Sequence, residues 1–261
     1  MSFTPDTTSA VRPWQAVYPQ VGIAPDLPAP EHHSLAHLIH DHCTRWARDS
    51  QAKAAFTCVV PNGMNGSLSF AQVDALSDAF AGYLRSTLGL ARGDRVAVQL
   101  PNSLSFPVVA FGVLKAGCVL VNTNPLYTVS EMVHQFNNCQ AKALVVVDMF
   151  ADKLPEVLAK TGVKHIVLAG VSEFFPAIPR GIIRGVQKVW SKVLPPVTVP
   201  HERLAAALKR GAATLAQTPA RPRGQNGFRR KGMNVEHLRL QLDELERRGR
   251  DIPAEMDRKL R

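Results

Sequence analysis

The most telling gaps in this 261-residue sequence are a glycine-rich phosphate-binding loop, paired cysteines and a bilayer-length apolar run. Its four cysteines, Cys43, Cys58, Cys118 and Cys139, are scattered without paired spacing. That argues against a metal or redox site and predicts unpaired thiols in a reducing compartment. No apolar stretch approaches the roughly 20 residues of a spanning helix. The opening MSFTPDTTSAVRPW lacks the cationic-then-apolar order of a secretory leader. Together these absences predict a cytoplasmic chain, or one resting on the inner face of a membrane.

What the chain does have is ordinary bulk and unusual charge. Apolar residues make up 46% and charged residues 20%, as in a globular protein with a real core. The net charge of +10 points to anionic partners. Half of that excess lies beyond residue 220, where 12 Lys/Arg face 7 Asp/Glu. The basicity is therefore partly a property of the tail.

Residues 1–33 are rich in proline and small polar residues and read as an extended entry segment. Ser34 reads as the cap of a helix with Leu35, Leu38, Ile39, His42 and Trp46 on one face. Histidines 32, 33, 37, 40 and 42 crowd the same place, and His33 and His37 stand one turn apart, as metal ligands can. No cysteine or carboxylate completes such a site, so solvent-facing histidines are the simpler reading and no metal residue is assigned.

Two strands, Ala54–Val60 and Ser67–Phe70, flank a turn-rich loop and predict an antiparallel hairpin. A helix over 70–88 follows, with Val73, Leu76, Phe80 and Leu84 on one stripe. Strands then alternate with helices. The strands are Arg95–Leu100, Cys118–Val121, Ala143–Val147 and His165–Leu168; the helices lie near 104–115, 130–138 and 151–160. Unbroken aliphatic strands separated by helices imply parallel pairing with both faces covered. The expected fold is α/β, a mainly parallel sheet flanked by helices, with an N-terminal antiparallel hairpin, over residues 34–170.

Further on, residues 180–194 have a helical period. Ile182, Ile183, Val186, Val189, Trp190, Val193 and Leu194 share one face, and Arg180, Arg184, Lys188 and Lys192 recur every fourth residue. Such a helix suits an anionic membrane surface, with Arg184, Lys188, Trp190 and Lys192 as contacts. The plainer alternative is a surface helix packed on its own domain, which Gly181 and Gly185 favour.

Three segments in succession carry a family resemblance. Gly93-Asp-Arg-Val-Ala-Val-Gln-Leu-Pro-Asn102 is followed by Phe111-Gly-Val-Leu-Lys-Ala-Gly117 and then by Val121-Asn-Thr-Asn-Pro-Leu-Tyr-Thr128. In this order they resemble the N-terminal part of adenylate-forming, AMP-binding enzymes, and among them the bacterial long-chain fatty acid–CoA ligases. The resemblance covers residues 14–169 and thins out towards 220. It implies activation of a fatty acid with ATP and Mg²⁺ to an acyl-adenylate, then transfer to coenzyme A. The family's phosphate loop, adenine-contacting run, ribose Asp and catalytic Lys have no counterpart in these residues. No catalytic or cofactor-binding residue is therefore assigned, and no cofactor is expected for this chain alone. Asn124, Pro125 and Tyr127 carry resemblance, and their expected work is to end a strand and shape a turn.

Near Arg221 the family pattern stops. The nearest thing to a phosphate loop, Arg223-Gly-Gln-Asn-Gly-Phe-Arg-Arg-Lys-Gly232, lacks hydroxyl residues and reads as an Arg/Gly linker. A helix-like segment over 234–248 follows, with Val235, Leu238, Leu242 and Leu245 at heptad-like spacing. The expectation is a truncated or frameshifted ligase, inactive by itself. The alternative is a non-catalytic membrane-surface or scaffold protein that pairs with another copy or with an intact ligase. Nucleic acid ranks last, because Phe228 is the only aromatic residue within the basic stretch from Arg221 to Lys231.

Overall fold

A computed structural model describes residues 17–24, 32, 34–49, 53–61, 63–190 and 194–217. The chain divides into two units, residues 1–33 and 34–261. In the first, Tyr18–Val21 form one 3₁₀ turn that ends on Gly22, whose positive φ of 71° suits a residue without a side chain.

The second unit begins with helix α1 (Leu35–Asp49), followed by the hairpin strands β1 (Ala54–Val59) and β2 (Asn65–Ser69). Ser69 ends β2 and caps α2 (Phe70–Gly82). Its hydroxyl accepts from the Gln72 N–H, while the Gln72 side chain accepts from the Ser69 N–H. Phe70, expected at the junction of strand and helix, is therefore the first helical residue. A π-helical turn, Tyr83–Thr87, prolongs α2.

From there strands and helices alternate: β3 (Arg95–Gln99), α3 (Ser105–Lys115), β4 (Val119–Asn122), α4 (Val129–Cys139) and β5 (Ala143–Val147). A 3₁₀ segment, Asp148–Lys153, leads into α5 (Leu154–Lys160) and β6 (His165–Ala169). The last elements are α6 (Ala177–Gly185) with a π turn to Trp190, the short β7 (Glu202–Arg203) and α7 (Leu204–Gln217).

The larger sheet has the order β4-β3-β5-β6-β7, and each adjacent pair is parallel. Alternation along its strands feeds two cores. Val96, Val98, Val145, Val147 and Val167 face α2, α3 and α7, while Ala97, Leu144, Val146, Ile166 and Leu168 face α4 and α5. Both faces are covered, which is why these strands are aliphatic throughout.

On one side the helices approach closely at glycine. A Cβ on Gly112 of α3 would lie 2.8 Å from the Phe80 Cβ of α2. One on Gly211 of α7 would clash with the Ala79 carbonyl oxygen.

Two local expectations need correction. The buried face of α1 is Ala36, Ile39 and Cys43, whereas Leu35, Leu38, His42 and Trp46 are exposed. The helix expected over 180–194 begins at Ala177 and changes to π geometry at Val186.

Candidate functional site

In an open parallel sheet, ligands gather outside the carboxyl ends of the strands, where the strand order reverses. Here the chain runs from β3 outward to β4 and returns past β3 to β5, so the reversal lies between β3 and β5. The segment after β4, Asn122–Thr128, overhangs that edge.

Donors from neighbouring elements staple this segment. Gln99, fully buried at the end of β3, donates through Nε2 to the carbonyls of Asn124 at 3.1 Å and Pro125 at 3.4 Å. Gln135 of α4 donates to the Asn122 carbonyl and Lys153 to that of Tyr127. The Asn124 side chain accepts from the Leu126 N–H at 3.0 Å, closing a local turn. Thr128 and Glu131 then form a capping box that starts α4. Asn124, Pro125 and Tyr127 thus shape a turn, and their chemistry here is structural.

The carboxylate that closes β5 is Asp148. Its side chain is buried, and one oxygen accepts from Arg203 at 3.0 Å and stands 3.8 Å from Arg184. Its other oxygen has no hydrogen-bond partner among the described residues. Next to it, the Gly170 N–H donates to Glu173 at 2.9 Å. A magnesium site needs carboxylate oxygens open to the metal and its water shell. The Asp148 carboxylate is buried and one of its oxygens is taken by Arg203, so it does not offer the solvent-open ligand set of a hydrated Mg²⁺.

At the opposite, amino edge lies a cavity of about 520 Å³, lined by Arg95, Lys142, Lys164, His165 and Asp94 among others. Its cations are largely engaged. Arg95 donates to the carbonyls of Cys139 and Gln140 at the end of α4, and Lys142 meets Asp94 at 2.8 Å. That hydrogen bond from Lys142 holds Asp94 below the usual carboxylate range, and burial lowers His165. Arg95 works as a helix C-terminal cap, a role that offsets its charge.

A buried ion network joins α1, α2 and α3. Lys115 Nζ sits 2.5 Å from Asp74 Oδ1 and 3.0 Å from Asp78 Oδ1, and His40 Nδ1 approaches Asp74 at 3.2 Å. His40, Asp74 and Asp78 have the mutual spacing of metal ligands. The ammonium already lies on both carboxylates, so a cation of the protein's own occupies the place a metal would take. Burial pushes Asp74 upward, but the His40 hydrogen bond and the Lys115 charge prevail and bring it to about 2. Burial also lowers Lys115, opposed by the Asp74 charge.

The residues assigned to membrane contact fall into separate groups. Arg184 leans towards Asp148, while Lys188 is exposed. Lys192 lies outside the described residues, and of Trp190 only the backbone is described. The Arg/Gly stretch 223–232 and the expected helix 234–248 also lie outside them. On α6 the exposed aliphatics are Ile178, Ile182 and Val186, while Ile183 packs inward.

Sequence reasoning missed the Lys115 network and the Asp148–Arg203 pair. A signal for the first was present, since a lysine inside the apolar run Phe111-Gly-Val-Leu-Lys115 calls for buried acids. For the second no local signal exists, because its partners are 55 residues apart.

Comparison with known proteins adds an independent line. The family model described as "AMP-binding enzyme" matches residues 43–208. A long-chain-fatty-acid–CoA ligase of Salmonella typhimurium is 34% identical over 187 residues, covering 72% of this chain and 32% of that protein. The Escherichia coli O6:H1 protein of the same description is 40% identical over 133 residues, which cover 51% of this chain and 24% of the relative. The chain thus spans about a third or less of the length of these curated relatives. Among solved structures, a long-chain-fatty-acid-CoA ligase of Archaeoglobus fulgidus matches 57% of this chain and 31% of its own. It is 23% identical, with a TM-score of 0.46.

Proposed function

Because the chain belongs to the AMP-binding enzyme family, we propose that it is the amino-terminal part of a long-chain fatty acid–CoA ligase. The reaction begins with attack of a fatty acid carboxylate on the α-phosphate of ATP, which expels pyrophosphate. The thiol of coenzyme A then displaces AMP from the acyl-adenylate. The observation that carries this reading is the 34% identity to a long-chain ligase over 72% of the chain.

The described residues supply framework for that chemistry. They provide a buried parallel sheet and the stapled turn at 122–128. The phosphate cradle, the adenine and ribose contacts and the catalytic lysine of the family have no counterpart in this sequence. By itself the chain therefore binds no ATP productively and releases no AMP.

A graft tests the assignment. Residues 43–208 replace the matching segment of the Salmonella typhimurium relative, and palmitoyl-CoA formation from ATP, palmitate and coenzyme A is measured. Retained turnover supports the reading; a folded graft that binds ATP but forms no palmitoyl-CoA sinks it. The 261-residue chain assayed alone is expected to release no AMP above the enzyme-free background.

We place the chain in the cytoplasm, on the inner face of the membrane, as a second element of the reading. What favours this over a free scaffold is the exposed aliphatic row of Ile178, Ile182 and Val186 on α6 and the turn that follows it.

A further inference from the structure

We propose that the cavity at the amino edge of the sheet binds a small phosphomonoester, with Lys142 and Lys164 on its phosphate. The inference stands apart from the ligase reading, and its test requires no turnover.

The sheet itself brings the two lysines together. Each stands immediately ahead of a strand, Lys142 before β5 and Lys164 before β6, and the Lys164 N–H donates to the Lys142 carbonyl at 2.9 Å. Like charges on neighbouring strands repel. Lys142 meets Asp94, but Lys164 has no carboxylate partner among the described residues. His165, the next residue, also lines the cavity, and its ring has no hydrogen-bond partner among the described residues. Burial, with the Lys164 charge beside it, holds that imidazole below its ordinary range and so keeps it neutral at pH 7. An ammonium and an imidazole N–H thus stand unengaged in one cavity.

Charge and room select the ligand. Arg95, Lys142 and Lys164 line the cavity against one carboxylate, Asp94, which leaves a surplus of two positive charges. The C-terminal end of α4, capped by Arg95, returns only about half a negative charge. Asp94 is fully occupied within the fold, since one oxygen meets Lys142 and the other accepts from the Ala91 N–H, each at 2.8 Å. An ammonium carries three donors, so Lys142 keeps two for a ligand and Lys164 keeps all of its own. Point-charge donors of this kind suit a tetrahedral dianion, whereas a planar carboxylate is better matched by a guanidinium fork. The cavity of about 520 Å³ is larger than a bare phosphate, and Leu88, Leu90 and Phe136 add apolar lining. That combination fits a phosphate carried on an apolar or aromatic group.

The test uses the full chain and phenyl phosphate, titrated calorimetrically at neutral pH with sodium chloride holding the ionic strength constant. Wild type is expected to bind it about tenfold more tightly than inorganic phosphate, since the ring adds apolar burial to the same ionic contacts. Lys142→Gln and Lys164→Gln should each weaken binding about tenfold, the loss of one charge-assisted hydrogen bond. Lys188→Gln, at an exposed lysine on the turn after α6, should change nothing. Lys142 and Lys164 are exposed, and circular dichroism verifies that their variants are folded. The His165 ring resonances should move on adding phenyl phosphate and stay in place with chloride. Absence of binding would overturn the proposal. So would an equal loss in Lys188→Gln, which reduces the effect to general attraction by a basic chain. Equal affinity for the two anions would remove the apolar lining from the site and with it the organic ligand. Vesicles containing phosphatidic acid form the second arm. Wild type that binds them through Lys164 yet ignores phenyl phosphate would assign the lysines to a lipid headgroup and sink the soluble ligand.

Discussion

Lys115, whose side chain has no exposed surface, holds its ammonium 3.0 Å from the Asp78 carboxylate on the neighbouring helix. With Asp74 at 2.5 Å on its other side, it fastens α3 to α2 by charge within an apolar core. Such a network is costly to assemble and more costly to break, because removal of one member leaves buried charge uncompensated. Lys115→Met is therefore expected to destabilise the chain by about 3–5 kcal/mol in chemical denaturation, as for other broken buried pairs. A loss close to zero would show that the carboxylates find other counter-charges.

The same network dictates a pH dependence. Asp74 is held at about 2, below the ordinary 3.8. A carboxyl whose folded value is depressed stabilises the fold above its unfolded value, and that stability disappears as pH falls through the folded one. The window therefore runs from roughly pH 4 down to pH 2, and the contribution is about 2 kcal/mol at neutral pH. Asp74→Asn should flatten the stability profile across that window. An unchanged acid limb in urea titrations would contradict the assignment.

Helix contact through glycine predicts a steric effect. Gly211→Ala places a methyl against the Ala79 carbonyl oxygen, and backbone cannot swing aside as a flexible side chain does. Overpacking of this kind costs typically ~1–3 kcal/mol, and a backbone clash belongs at or above the upper end. Gly185, whose Cβ would meet nothing within 4 Å, is the control. Gly185→Ala should leave stability equal or slightly higher in thermal melts, since alanine is the better helix former.

Thiol reactivity should follow burial. Burial and the nearby Asp74 push the Cys43 thiol up to about 11, and burial raises Cys118 as well. Cys58 and Cys139 are half-buried. A disulfide reagent at neutral pH should modify Cys58 and Cys139 first. Cys43 and Cys118 should follow only as the chain unfolds, because the thiolate is the reacting form. Peptide mapping of the labelled chain reads out the order.

Arg184 and Lys188 provide a final contrast. Their spacing in the sequence makes them equivalent members of one cationic row; in the fold both are exposed, but Arg184 also stands 3.8 Å from Asp148. Lys188→Gln should weaken flotation on anionic vesicles more than Arg184→Gln does. Equal effects would mean that the Asp148 pair opens at the membrane.

Much of the architecture was legible because its causes are local. The aliphatic residues within 95–99, 143–147 and 165–169 read as strands covered on both faces, whereas the capping boxes at Ser69 and Thr128 were overlooked although their signal is equally local. The turn at Asn124-Pro125 was legible for the same reason. By contrast, β7 and α7 escaped notice, because a two-residue strand carries no periodic signal and a helix of mixed alanine, lysine and arginine is locally indistinct. The burial of Leu204, Ala207 and Leu208 arises from packing on α2 and β6, which no local pattern announces.

By itself, then, the sequence determined the fold class, the family and the lack of a phosphate loop, since each follows from residue types at short spacing. Only the tertiary structure decided which face of α1 is buried, and that Arg184 stands near Asp148 while Ile178, Ile182 and Val186 are exposed. It alone brought Lys115 to Asp74 across 41 residues and Arg203 to Asp148 across 55. Periodicity identifies an amphipathic helix, but the neighbour that buries one side of it is chosen by the packing of the whole chain.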